Sequence, residues 1–290
     1  MEYSRSFRVK PGKKVDLDNL GADFKPDNLD RKEVEQQFGS LTEKLRDLQH
    51  LMYAEDQRSL LIVLQGRDAA GKDGTIRAVM TGINPAGCQV FSFKQPSAEE
   101  LDHDFLWRVQ RRLPERGRIG IFNRSHYEET LVVRVHPEYL DRQKLPRPID
   151  HDRIWDERFA SICAMEEHLA RSGTLILKFW LNVSRDEQRR RFLDRIDEPE
   201  SNWKFSAGDV DERQHWHDYM HAYEEALRTT SRPCAPWYAV PADDKSFMRR
   251  TVAEIVAASM EHLDIDYPEV SDERRARMQE LRGLLDDEVS

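Results

Sequence analysis

The sequence predicts an α/β fold, a three-layer α/β/α sandwich on a parallel sheet, and three observations predict it. Apolar strand-length runs alternate with helix-period segments from Leu60 to about Leu263. No Pro/Gly/Ser-rich linker interrupts that alternation, so one body carries additions at both ends. The first strand runs into Gly66-x-x-x-x-Gly71-Lys72, a phosphate-loop spacing that opens a helix. Expected boundaries are an extension over 1–55, a catalytic body over 56–265 and a helical tail over 266–290.

The elements follow in order. Val34, Phe38, Leu41, Leu45, Leu48 and Met52 alternate four and three apart, which predicts an amphipathic helix over Arg31–Glu55 that packs on a core. A buried strand follows at Ser59–Gln65, then a helix from about Gly71. CQVFSF, ending before Lys94, reads as a second strand, and Ser97-x-x-Glu100 is a capping box for a helix through Trp107. Arg118–Phe122 is the third strand, and Ser125-x-x-Glu128 has the capping-box pattern for another helix just beyond it. A helix over Asp152–Ala170 leads to a strand over Thr174–Val183, and Ser184-x-x-Glu187 caps an arginine-rich helix. DEPESNWKFSAGD reads as a charged loop before a helix over Asp209–Leu227. Trp237–Pro241 is a last strand, and helices over Asp244–Leu263 and from Asp272 close the chain. Repeated strand, crossover helix and strand place the site at the strands' carboxyl ends.

Composition narrows the function classes. At 290 residues and 39% hydrophobic the chain can bury a sizeable core. Its start is polar and no apolar run reaches membrane-spanning length, so neither export nor membrane insertion is expected. Cys88, Cys163 and Cys234 are widely spaced and odd in number, which fits reduced thiols in a cytoplasm. A net charge of −9 argues against nucleic acid as partner. Any polyanion must therefore find a local basic groove, and arginines do cluster at 108, 111 and 112 and again from 185 to 195.

The loop suggests the chemistry. Backbone N–H groups from Gly66, Arg67, Ala69, Ala70, Gly71, Asp73 and Gly74 are placed to cradle phosphate oxygens, while Lys72 brings a point charge. Asp73 stands where a hydroxyl is usual. A bare carboxylate within about 4 Å of a phosphate oxygen costs roughly 1 to 4 kcal/mol, and a bridging Mg²⁺ reverses the sign. Asp68 is therefore the expected metal ligand, whereas Asp73 also suits the first turn of a helix by its dipole. Asn123 occupies a strand end where an acid is usual, so it would hold a metal-bound water or a ligand oxygen and leave more of the metal to Asp68 and Glu128. Glu128 serves equally as cap or as metal ligand, and the Arg124 fork matches phosphate. The histidines of HWHDYMH lack a further ligand at zinc spacing, and Trp216, Met220, Tyr223 and Leu227 form a core stripe. Trp203 and Lys204 lie in the charged loop as candidate ligand contacts.

Taken together, GRDAAGKDGTI, FKQP, LWRVQRRLPERGRIGIFNRSHYEE, VVRVHPE, NWKFS and APWYAVPADDK resemble the polyphosphate kinase 2 family over about Phe24–Leu263. The resemblance implies a P-loop kinase-like fold with a helical lid, here about 185–230, and Mg²⁺-dependent transfer between inorganic polyphosphate and a nucleotide. It makes Asp68, Lys72 and Arg124 catalytic positions and extends phosphate binding to Lys94, Arg134, Arg191, Arg195 and Lys204. FNRSHYEE, where many members have FDRS, is similar to the subgroup that converts AMP to ADP and ADP to ATP. A homo-oligomer is also implied. Two other classes fit the loop alone: an ATP-dependent kinase of a nucleotide or small metabolite, and a nucleotide-driven switch, against which stands the lack of an N-K-x-D pattern.

Overall fold

The computed structural model describes residues 5–17, 19–26, 30–146 and 148–287. Residues 1–4 of the expected extension and 288–290 of the expected tail lie outside them. The strands are β1 (Ser59–Gln65), β2 (Cys88–Ser92), β3 (Ile119–Asn123), β4 (Thr174–Asn182) and β5 (Trp237–Pro241). The first helices are α1 (Arg31–Glu55), α2 (Lys72–Val79), α3 (Ala98–Leu101), α4 (Trp107–Gln110), α5 (Val132–Val135) and α6 (Ile154–Arg171). Further along come α7 (Arg185–Asp197), α8 (Ala207–Asp211), α9 (Trp216–Thr230), α10 (Lys245–Glu261) and α11 (Asp272–Asp287).

All strand pairs are parallel, in the order β2-β3-β1-β4-β5. β1 is central and buried along its whole length, as its unbroken run SLLIVLQ requires. Side chains alternate across a strand. Leu60, Ile62 and Leu64 accordingly join a core with Leu45, Met52, Ile76, Val252 and Val256 from α1, α2 and α10. Leu61 and Val63 face the other way, into a core with Phe159, Ile162, Tyr223 and Leu227 from α6 and α9. At roughly 1.5–3 kcal/mol per fully buried large apolar side chain, these two layers supply the main force holding the sandwich. The stripe Trp216, Met220, Tyr223 and Leu227 is core, as the spacing predicts.

α1 begins at a reciprocal capping box between Asp30 and Glu33 and packs along α10. The chain ahead of it does something its sequence did not announce. Val9 N donates to Trp237 O at 2.9 Å and Ala239 N to Phe7 O at 2.9 Å, so this segment covers the outer edge of β5. In α11 no residue is buried. Among the described residues no helix is long and apolar enough to cross a membrane.

Three local expectations need correction. The Ser97–Glu100 capping box forms, but its helix stops at Leu101; Asp104 Oδ1 then accepts from Leu106 N, and a separate short helix starts at Trp107. Ser125 caps a 3-10 turn over His126–Thr130 by accepting from Tyr127 N, while Glu128 turns to Arg124 instead of closing a box. The expected helix over 209–227 is divided into α8, a 3-10 turn over Glu212–His215 and α9. In the first two cases a short Asx-type turn, or a side-chain partner from outside the segment, outcompetes continued helix.

Candidate active site

The site forms where β1 and β3 end side by side, Leu64 opposite Asn123. Gly66 leaves the sheet so close to β4 that a Cβ on it would lie 3.1 Å from Leu181 O. Gly71, with φ 103°, then turns the chain into α2. Ala69 (φ 62°) and Arg124 (φ 60°) also have positive φ, a conformation that residues bearing a Cβ keep only when their surroundings impose it.

Lys72 is buried and folds back over its own loop, donating to Gly66 O at 2.6 Å and Arg67 O at 3.2 Å. Burial, reinforced by Arg124, lowers its ammonium to about 8. Arg124 crosses from the β3 end to hold two carboxylates: Nη2 donates to Asp68 Oδ1, and Nη1 to Glu128 Oε2 at 3.0 Å. Glu128 raises the Arg124 guanidinium above its ordinary value against the cost of burial, and Asp68 adds to this. Burial pushes Asp68 upward, but Arg124, Lys72, Arg67 and Arg195 together outweigh it and hold the carboxyl below its usual range. The result is a charged, internally neutralised cluster at the mouth of the loop.

Asp73 and Asn123, the two departures from the usual phosphate-loop pattern, meet each other. Asn123 Nδ2 donates to Asp73 Oδ1, and the buried Asn123 Oδ1 has no hydrogen-bond partner. That orphaned oxygen, beside an exposed carboxylate, is a hard-oxygen donor pair of the kind Mg²⁺ takes. Among the described residues no three His, Cys, Asp or Glu side chains come together to hold a metal ion. A Mg²⁺ bound through one or two carboxylates plus phosphate oxygens needs no such cage, so the residues present fit the ion.

The remaining candidates divide. Arg67 is stacked 4.4 Å from the Trp216 ring and donates to Glu212 O at 3.0 Å, within electrostatic reach of Asp68. Arg191 is buried, with its guanidinium on backbone carbonyls. Arg195 pairs with Asp209 at 3.3 Å, within electrostatic reach of Asp68. Arg134 pairs with Glu225 at 2.6 Å. Lys94 and Lys204 are exposed; the Lys94 carbonyl accepts from Arg108, and the Lys204 ammonium lies 5.1 Å from the Trp203 ring.

Sequence reasoning missed the support beneath the site. Gln65 Nε2 donates to Ser125 Oγ at 3.1 Å, tying the ends of β1 and β3. Below them Lys178 is fully buried and donates to Glu166 Oε2 at 2.6 Å, Tyr127 OH at 2.8 Å and Thr230 O at 2.9 Å. The signal was a lysine inside the apolar strand TLILKFWLN, since a buried ammonium requires partners.

A parallel sheet with a central phosphate-loop strand, a loop lysine and a facing arginine at the next strand end defines a P-loop kinase-like phosphotransferase. Known proteins agree. The model of the family "Polyphosphate kinase 2 (PPK2)" matches residues 28–268, and the chain belongs to that family. It is 52% identical to the ADP-polyphosphate phosphotransferase of Rhodopseudomonas palustris, over 97% of this chain and 98% of that one. It is 42% identical to the AMP/ADP-polyphosphate phosphotransferase of Meiothermus ruber, over 91% and 96%. The crystal structure of polyphosphate kinase 2 from Arthrobacter aurescens TC1 superimposes with a TM-score of 0.86 at 34% identity, covering 96% of both chains.

Proposed function

We propose that this enzyme transfers a phosphoryl group reversibly between inorganic polyphosphate and AMP and/or ADP, giving ADP and ATP. The observation that carries the reading is the Asp68–Arg124–Glu128 cluster facing Lys72 at the loop mouth. Its cations are held on groups that a polyanion can replace. Near-full-length likeness to relatives named for polyphosphate and for ADP or AMP/ADP supplies the substrate class.

Phosphoryl transfer needs in-line positioning and charge stabilisation more than covalent chemistry. Loop amides and the α2 N-terminus receive phosphate oxygens, and Lys72 leaves the Gly66 and Arg67 carbonyls for the terminal phosphates. Arg124 exchanges a carboxylate partner for an oxygen of the transferring group. Asp68, together with the Asn123 oxygen and the Asp73 carboxylate beside that oxygen, would hold Mg²⁺, which would neutralise charge on the phosphate oxygens. Glu128 keeps Arg124 charged and aimed. Lys94, Arg195 and Lys204 extend the track, and closure of a lid within about 185–230 excludes water.

The same reading divides the chain into an extension over 1–55, a catalytic body over 56–265 and a tail over 266–290. It also includes a homo-oligomer and a reducing cytoplasmic setting, which the free thiols of Cys88, Cys163 and Cys234 support.

The test is purified protein with Mg²⁺, polyphosphate and either AMP or ADP, with products separated over time beside a series using ATP as donor. The expected result is ADP or ATP formed from polyphosphate. Transfer from ATP alone would overturn the donor assignment, and the two acceptor arms decide between the specificities of the two relatives.

A further inference from the structure

The arginine-rich helix α7 is fastened to the phosphate loop from behind. Arg191, 5% exposed, donates through Nε to Glu187 Oε1 at 2.6 Å. Its Nη1 reaches Ala69 O and Ala70 O, both at 3.0 Å, and its Nη2 reaches Ala242 O at 2.6 Å and Asp243 O at 3.0 Å. A guanidinium has five N–H donors, and these contacts employ all of them. One turn earlier on the same face, Gln188 Nε2 donates to Asp68 O at 2.9 Å. Three consecutive loop carbonyls are thus held by one side of one helix.

That grip determines where the amides point. Across a trans peptide C=O and N–H point in opposite directions. Holding the carbonyls of Asp68 and Ala70 on the α7 side aims the N–H groups of Ala69 and Gly71 to the other side. The intervening Ala70 N–H closes the loop's own turn on Arg67 O at 3.1 Å. The clamp also bears on Ala69, whose positive φ needs an external restraint. Through Ala242 and Asp243 it ties the loop to the chain between β5 and α10.

We infer that Arg191, seconded by Gln188, is a positioning residue that holds the backbone from Asp68 to Gly71 in its phosphate-receiving shape and does not itself touch the polyanion. The inference rests on the phosphoryl-transfer reading above. One consequence is that α7, as far as Arg191, belongs to the rigid body of the site. Any closing segment starts beyond Arg191.

The test compares Arg191→Lys, Arg191→Ala and Gln188→Ala with the unaltered protein. Steady-state kinetics, calorimetric titration with inorganic tripolyphosphate in Mg²⁺ and thermal unfolding are followed together. Arg191→Lys keeps a positive charge but loses the fork. A displaced loop predicts about a hundredfold loss of kcat/KM for the phosphate donor and weaker tripolyphosphate binding, with the acceptor KM little changed. Millimolar guanidinium is expected to restore part of the activity of Arg191→Ala. Gln188→Ala should lose about tenfold, since one hydrogen bond of roughly 1.5 kcal/mol is removed. Donor kinetics and tripolyphosphate binding unchanged in Arg191→Lys would overturn the clamp, whether the residue is dispensable or acts as a simple charge. Should Arg191→Ala fail to fold, the other two variants carry the test. If the unaltered protein transfers nothing from polyphosphate, yet Arg191→Lys weakens tripolyphosphate binding, the functional reading falls and the clamp stands.

Discussion

Two buried lysines, Lys178 and Lys72, sit in the same chain under opposite regimes. Lys178 has a carboxylate, a phenol and a carbonyl as partners, and it also lies 5.2 Å from the Tyr127 and Trp237 rings. Every proton of its ammonium is satisfied. Lys72 donates to two loop carbonyls and to no carboxylate, with Arg124 pressing against its charge. The first arrangement gives a buried ammonium its own anion; the second offers its ammonium carbonyl partners alone. A buried cation paired with its own anion is suited to structure, and the role proposed for Lys72 suits one whose anion would come from the substrate.

The largest expected effect breaks the structural half. Glu166→Ala leaves the Lys178 ammonium buried without its anion and should destabilise the fold by about 3–5 kcal/mol, read as a lower urea midpoint at unchanged slope. A loss under about 1 kcal/mol would show that Lys178 sheds its proton or finds water.

Next comes the catalytic half. Lys72→Met should lower kcat about a hundred- to a thousandfold while leaving the urea midpoint near its original value, because carbonyls and not a carboxylate lose their donor. Asp68→Asn should likewise abolish turnover without unfolding the chain, since the amide removes the charge proposed to bind the metal and one of Arg124's two carboxylate partners. Ordinary activity in Asp68→Asn would sink the metal assignment.

A smaller effect comes from pH. If Lys72 binds the phosphate donor as ammonium, as proposed, kcat/KM should be flat below about pH 8 and fall up to tenfold per unit above it. The sign separates this from unfolding. Because the folded-state value lies below the ordinary 10.5, the unfolded chain holds this proton longer, and the Lys72 contribution to stability rises with pH across that window. Activity falling while stability holds is the expected pair of curves; a flat rate profile to pH 10 would place Lys72 outside the rate-determining charge.

A change at the start of α7 touches neither lysine and should have the smallest consequence. Ser184 accepts from Glu187 N at 3.1 Å at the start of α7, and Ser184→Ala should cost about 1 kcal/mol in stability. Donor kinetics should be little affected, because the Ser184 carbonyl still accepts from Gln188 N and the side-chain contacts of Gln188 and Arg191 to the loop remain.

The sequence by itself determined much of this protein, for reasons that are local. The alternation of buried strands with amphipathic helices set the layers, and β1 and β5 fall where their apolar runs place them. Gly66, Gly71 and Lys72 announced the loop, because the spacing encodes a backbone path. Tertiary structure alone decided which charges meet. Arginines 67, 191 and 195 are alike as letters, yet one stacks on Trp216, one clamps loop carbonyls and one pairs with Asp209 near Asp68. Asp73 looked like an intruder in a phosphate loop until Asn123, 50 residues away, supplied its hydrogen bond. A side chain's partner depends on which strand ends the sheet order brings together, and that order is fixed by long-range packing that no local pattern contains.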